Sequence, residues 1–240
     1  MSNSTVILIT GTYLSRPDHT VIGSVRDTSA SSVQELKTLP TAAGSRLLLV
    51  SIESTSTTDP SAAVKDIEAA GINHLDLVIA NAGICPAPMP LTAVDPKDVS
   101  AAFNINAVGP LVLFQAVRPL LANSPNSPKW LTMSTGAASI TRLEAHGAHG
   151  VPGYAIGKTG TNWFTVAVHS SEKWLTAFAV HPGLVQTDMG NMGARMAGME
   201  LAPNTPEEST TKTVSLVDAA TREGTSGRFY DVISGSELPW

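Results

Sequence analysis

What most constrains this chain is an alternation. Short apolar runs at residues 6–10, 21–25, 47–52, 75–80, 130–134 and 175–181, with a seventh at 229–232, are separated by segments of helical character at 61–70, 96–121, 154–170 and 206–220. Runs that are apolar nearly throughout read as strands buried on both faces, and that pattern belongs to parallel strands joined by helices. The expected fold class is α/β, a doubly wound, mostly parallel sheet in one domain spanning residues 1–240. Ligands bind such sheets beyond the carboxyl ends of the strands, where Asn81, Thr135 and Pro182-Gly183 fall. Gly109-Pro110 lies inside the long segment 96–121 and should kink it. One connection is out of scale: only residues 11–20 separate the first two runs, whereas a whole βαβ crossover takes at least ~10–12 residues. The first crossover is abnormally short.

Charge and composition narrow the function. The net charge is −5 with no long basic run, which leaves no electrostatic footprint for nucleic acid or an anionic membrane. No uninterrupted apolar stretch approaches the ~18 residues of a membrane span. The single cysteine, Cys85, rules out an internal disulfide and suits a reducing compartment, and residues 6–9 are too short for a signal segment. The expectation is a cytoplasmic protein. His146 and His149 lie three apart without a third placed ligand, so no metal site is expected. Residues 190–205 lack a clear period and read as a mobile lid. Met189, Met192, Met196 and Met199 read as apolar cover for core or substrate.

The chemistry is carried by Tyr154-Ala-Ile-Gly-Lys158. Four-residue spacing puts a phenol and an ammonium on one helix face. A phenol titrates near ~10 in water, and a neighbouring cation favours the phenolate. The pair suits proton transfer in alcohol–ketone chemistry. A strand-end hydroxyl, from Ser134 or Thr135, would polarise the carbonyl; successive strand residues point to opposite faces, so one of the two faces the site. The missing hydride comes from no side chain, and a nicotinamide cofactor is therefore expected.

Asn81-Ala-Gly83, Asn106-x-x-Gly109, Ser134-Thr135, Tyr154-x-x-x-Lys158 and His181-Pro-Gly183-x-x-x-Thr187 stand in the order of the short-chain dehydrogenase/reductase family, which the chain resembles from about residue 21 onward. Gly235-Ser-Glu-Leu-Pro-Trp240 and Val25-Arg26-Asp27 are similar to the fungal norsolorinic acid ketoreductase-like and C-factor-like subgroup. The resemblance implies a Rossmann-like sheet and an NADP(H)-dependent ketoreductase. It implies a small carbonyl or alcohol substrate, apolar or of aromatic polyketide type, and a homo-oligomer, dimer or tetramer, built on the helices containing Asn106 and Tyr154.

The resemblance also implies roles. Tyr154 gives the proton, while Lys158 lowers the phenol pKa and bonds the cofactor ribose. Thr135 matches the catalytic hydroxyl when Ser139-Ile140 is aligned, with Ser134 as the alternative. Asn106 holds a water that relays protons through Lys158. Asn81, Ala82 and Gly83 admit the adenosine ribose. Arg26 suits a 2′-phosphate, although Asp27 beside it blurs that reading. Glu53 and Ser54 match the adenine contact, and Pro182, Gly183, Val185 and Thr187 the nicotinamide side. The departure is at the first strand. The family's Thr-Gly-x-x-x-Gly-x-Gly turn brings backbone amides to the pyrophosphate. Here Thr10-Gly11 fits, but Ser15 and Pro17 hold the next two glycine positions, and roughly a dozen residues are missing by the fingerprint spacing. Two readings follow: a working reductase, or a family member impaired in cofactor binding that acts as a binding protein or is inactive.

Overall fold

A computed structural model describes residues 4–8 and 12–240. The strands are β1 (Thr5–Leu8), β2 (His19–Val25), β3 (Arg46–Ser51), β4 (Leu77–Ala80), β5 (Lys129–Met133), β6 (Thr176–His181), β7 (Phe229–Asp231) and β8 (Ser236–Leu238). The helices are α1 (Ser31–Leu36), α2 (Asp59–Ala69), α3 (Pro96–Phe103), α4 (Gly109–Ala122), α5 (Pro152–Ser171), α6 (Asp188–Met196) and α7 (Pro206–Ala219). The sheet order is β3-β2-β1-β4-β5-β6-β7-β8. β1 runs parallel to both β2 and β4, β2 to β3, and β6 to β7; β8 is antiparallel to β7. This is the expected doubly wound, Rossmann-like sheet, and its order reverses between β1 and β4. By their contacts the residues fall into two compact units, Met1–Asn81 with Val108–Trp130, and Ala82–Ala107 with Leu131–Trp240.

In the first unit the strand cores are apolar as the sequence requires: Ile7, Val21, Ile22 and Val78 are buried. Buried Asp76 accepts from Val6 N (2.8 Å), Ser124 Oγ (2.6 Å) and Asn126 Nδ2 (3.0 Å), which sets where β1 begins. Despite its short crossover, β1 keeps its parallel place. The described part of that crossover is one 3-10 turn, Thr12–Ser15, with Tyr13 and Leu14 buried. Ala42 N donates to Leu14 O (2.8 Å), Asp18 N to Ala43 O (3.0 Å) and Thr5 N to Asp18 O (3.1 Å). These partners lie at the amino ends of β1, β2 and β3, so residues 12–18 sit at the opposite end of the strands from a ligand crevice. Asp18 closes the return at φ 57°, a left-handed conformation that aspartate adopts more readily than most residues.

The second unit is built around α5. The long segment 96–121 is divided as Gly109-Pro110 foretold: α3 passes into a π-helical turn, Asn104–Val108, before α4 starts at Gly109. The proline ring cannot sit against a regular preceding turn, and the wider turn accommodates it. Among the described residues, Pro96–Ala122 is long and apolar enough to cross a bilayer by length and composition alone. Counting uninterrupted apolar residues passed over it, because Lys97, Asp98 and Arg118 interrupt the run. Residues 190–205, read as irregular, contain most of α6; Thr187 Oγ1 caps it by accepting Gly190 N (3.1 Å). Past β8, Trp240 stacks on Phe229 (5.5 Å between centroids, 19° between planes).

Candidate active site

The candidate catalytic residues Asn106, Ser134, Thr135, Tyr154 and Lys158 all lie in the second unit. Tyr154 is in the first turn of α5 and Lys158 one turn on. Lys158 is buried, and its Nζ donates to Met133 O (2.7 Å) at the end of β5. The two strand-end hydroxyls diverge as the β pleat requires. Ser134 is buried and donates to Asn162 Oδ1 (2.6 Å) farther along α5. Thr135 Oγ1 accepts Ala137 N (3.3 Å) at the start of the next turn, and its side chain acts on the Tyr154 phenol to lower its pKa. Ser134 is thus engaged by Asn162, while Thr135 is the hydroxyl that influences Tyr154.

Asn106 sits fully buried in the π turn. Its Oδ1 accepts Ile84 N and its Nδ2 donates to Ile84 O, both at 2.9 Å. Thr161 Oγ1 donates to Asn106 O. The asparagine thereby clamps the chain just after Asn81-Ala82-Gly83. A Cβ on Gly83 would lie 2.9 Å from Asn106 Oδ1 and 3.0 Å from Lys158 Nζ, so only glycine allows the backbone so close to both.

Burial dominates the electrostatics. It pushes Tyr154 up to about 12, with the nearby Cys85 thiol adding to the rise and the Thr135 side chain opposing it. Burial likewise raises Cys85 to about 11 and lowers Lys158 to about 8. The four-residue spacing alone leads to the expectation that the ammonium pulls the phenol down. In the folded chain the Lys158 hydrogen bond goes to Met133 O, and loss of water around the phenol outweighs any such pull. The resting phenol keeps its proton.

Pro182, Gly183, Val185 and Thr187 follow β6. Gly183 has φ 85°, and a Cβ there would meet Ile233 and Asn204. Val185 bridges Asn204, and Thr187 spends its hydroxyl on the α6 cap. His181, the last residue of β6, was not singled out from sequence as a site residue. Its ring makes an edge contact with His146 (6.1 Å), its Nδ1 is buried without a partner, and burial lowers its pKa to about 4. Its place directly before Pro182-Gly183 was the available signal. An open groove of about 530 Å³, lined by Val99, Phe103, Asn104 and Ile156 among others, lies on α3 and α5. Ile156 is two residues from Tyr154, roughly 200° around the helix, so this groove is on a different face from the phenol.

In the first unit, Arg26 follows β2, exposed and with no side-chain partner among the described residues. Asp27 is occupied by Ser29 N (2.8 Å) and Ser29 Oγ (2.6 Å), and those bonds hold its pKa below the usual value. The ambiguity at this pair therefore favours Arg26 as the group open to a ligand. Glu53 and Ser54 follow β3 and Asn81 follows β4; Glu53 Oε1 accepts Thr55 N (3.3 Å). Gly11 lies outside the described residues. In the first unit Arg26, Glu53, Ser54 and Asn81 offer groups suited to the ribose and adenine of a dinucleotide, and in the second Pro182, Gly183, Val185 and Thr187 offer a loop suited to a nicotinamide. The described residues of the crossover, 12–18, put no helix N-terminus at the carboxyl end of β1 for a pyrophosphate.

This fold and this Thr–Tyr–Lys arrangement define a class, and the chain belongs to the short-chain dehydrogenase/reductase family. The pattern of the family described as Enoyl-(Acyl carrier protein) reductase matches residues 12–216. Within the family the chain is similar to fungal reductases. Short-chain dehydrogenase srdF of Neurospora crassa is 48% identical over 254 residues, covering 100% of this chain and 99% of that protein. Norsolorinic acid ketoreductase nor1 of Dothistroma septosporum is 36% identical, covering 100% of this chain and 94% of that protein. The srdF alignment is longer than the 240 residues of this chain, so that relative carries residues that this chain lacks. Among solved structures, the NADPH-bound carbonyl reductase from chicken fatty liver superposes with a TM-score of 0.83 at 26% identity, covering 99% of this chain and 94% of that one.

Proposed function

We propose that the chain is an NADP(H)-dependent ketoreductase acting on an apolar, aromatic or polyketide-type ketone. The observation that carries the reading is Tyr154 and Lys158 one turn apart on α5, with Lys158 Nζ bonded to Met133 O just before the Ser134-Thr135 strand end. A bound nicotinamide supplies the hydride. Thr135 and Tyr154 direct their hydroxyls at the substrate oxygen and withdraw charge from it. Tyr154 then gives up its proton as negative charge builds on that oxygen. Lys158 holds the base of the site through Met133 O and supplies positive charge below Tyr154. Asn106, through Ile84, keeps the Gly83 backbone against Lys158, and a water held there would relay protons. The open Arg26 guanidinium supports NADP(H) over NAD(H).

Relatives that are ketoreductases support the same chemistry. The reading includes a cytoplasmic homo-oligomer assembled through the α3/α5 face, where Phe103, Ile156 and Trp163 are exposed. Tyr154→Phe is the direct test. Turnover of an aromatic ketone with NADPH should fall at least ~100-fold, the scale of a lost general acid, with cofactor affinity unchanged. Turnover that persists would remove Tyr154 as the acid.

A second reading is favoured by one observation. The described residues of the crossover, 12–18, hold one short 3-10 turn and no longer helix, which favours a family member impaired in cofactor binding that serves as a binding protein or is inactive. Cofactor titration separates the two.

A further inference from the structure

The loop from β5 to α5, residues 139–151, is tied down along its length by other parts of the second unit. Ser139 Oγ donates to Pro239 O (2.6 Å) and accepts Arg142 N (3.2 Å). Thr141 donates twice to Trp240 O, from N (3.2 Å) and from Oγ1 (2.9 Å). Trp240 is in turn packed on the buried cluster of Ala179, Phe229 and Leu238. At the far end Gly150 O accepts Met89 N (3.2 Å). A loop fixed at both ends can hold a side chain in one place.

That side chain is His146. A Cβ on Gly136 would lie 2.6 Å from His146 Cε1, 2.8 Å from Nδ1 and 2.9 Å from Nε2. Similar distances to three ring atoms mean that the face of the imidazole covers the Gly136 backbone. Gly136 has no positive φ, so close approach alone explains the glycine there. Gly136 is the residue after Thr135, about 3.8 Å away along the chain. The imidazole therefore lies against the backbone one residue beyond Thr135. His146 also meets the ring of His181 edge to face. The residue is exposed, and its ring nitrogens have no protein partner among the described residues.

We propose that His146 is a specificity-determining residue, hydrogen-bonding a second oxygen of the substrate, a hydroxyl remote from the reacting carbonyl, with Trp240 as its positioning residue. The inference rests on the ketoreductase reading of the same site. A neutral imidazole offers one donor and one acceptor. It therefore pairs with a hydroxyl and gains nothing from a bare hydrocarbon edge. Sites that bond a substrate hydroxyl discriminate against the analogue lacking it, because the polar group is then left unpaired.

The test uses the full chain with para-hydroxyacetophenone and acetophenone as probes. Imidazole proton–nitrogen spectra, with His146 assigned by His146→Ala, need no cofactor. The hydroxylated ketone should move the His146 resonances and acetophenone should not. In turnover with NADPH, the ratio of kcat/KM for the hydroxylated to the bare ketone should fall about tenfold in His146→Ala. Gly136→Ala, which displaces the ring without removing it, should lower the ratio as well. Trp240→Ala should do the same and Trp240→Phe restore it; general destabilisation would not move a ratio of two substrates. A His146 shift without turnover of either ketone would sustain the contact while sinking the reductase reading. No shift, together with an unchanged ratio in an active His146→Ala enzyme, would overturn the contact alone.

Discussion

Lys158 should make the protein pay in stability for its chemistry. The side chain is 5% exposed, and the described residues give its ammonium one hydrogen-bond acceptor, Met133 O. Burial takes its pKa from 10.5 to about 8. At about 1.4 kcal/mol per tenfold change in proton affinity, keeping the charge in the fold costs about 3 kcal/mol. Lys158→Met retains the stem and removes the charge. It also strips Met133 O of its donor, which costs about 1 kcal/mol. The variant should therefore be about 2 kcal/mol more stable near neutral pH, while losing activity.

The pH dependence has a definite sign. Between about 8 and 10.5 the unfolded lysine holds its proton and the folded one has lost it, so wild-type stability rises with pH across that window. Below the folded value the penalty is complete. The advantage of the variant should be greatest near pH 7 and should shrink toward zero by about pH 9.5. Tyr154, raised to about 12, adds a loss of stability above its ordinary value of 10, but in both chains alike. Urea unfolding of the two proteins at both pH values measures the difference. A variant less stable near pH 7, or a gap independent of pH, would refute the reasoning.

Two further outcomes follow from single contacts. Arg26→Ala should weaken NADPH far more than NADH, read as separate dissociation constants; equal loss would remove Arg26 as the phosphate reader. Arg222 donates to His169 Nδ1 (2.6 Å), and burial, then Arg222 and Lys173, lower the His169 pKa from 6.5. The neutral ring is the stable partner, so this contribution is present above about pH 6.5 and is lost as pH falls below it. The melting temperature should drop on acidification, and His169→Gln should flatten that drop; an unchanged slope would remove His169 as its source.

Much of the fold was legible because buried parallel strands are apolar throughout. Residues 175–181 and 47–52 appear as β6 and β3 with shifts of a residue at their ends. Gly109-Pro110 foretold an irregular helix, although the form it takes, a π turn carrying Asn106, depends on packing. α1 and α6 were passed over, since six residues give no period and α6 is marked only by methionine spacing. At the site, Tyr154 and Lys158 could be paired from spacing alone. The choice between Ser134 and Thr135 could not, because it turns on Asn162 lying across from Ser134. The direction of the Tyr154 pKa is illegible for a related reason: spacing gives a neighbour's charge but not the water lost around the phenol. The short crossover was plain from spacing, whereas the placement of residues 12–18 at the amino ends of the strands needed their hydrogen bonds.

The central claim is that the Thr135–Tyr154–Lys158 site works with NADP(H) although its crossover is short. Titration of the purified chain with NADPH, followed by quenching of its four tryptophans, tests it most directly. Saturable quenching is expected, with NADH binding more weakly. Quenching that never saturates would contradict it, leaving a reductase site without its cofactor.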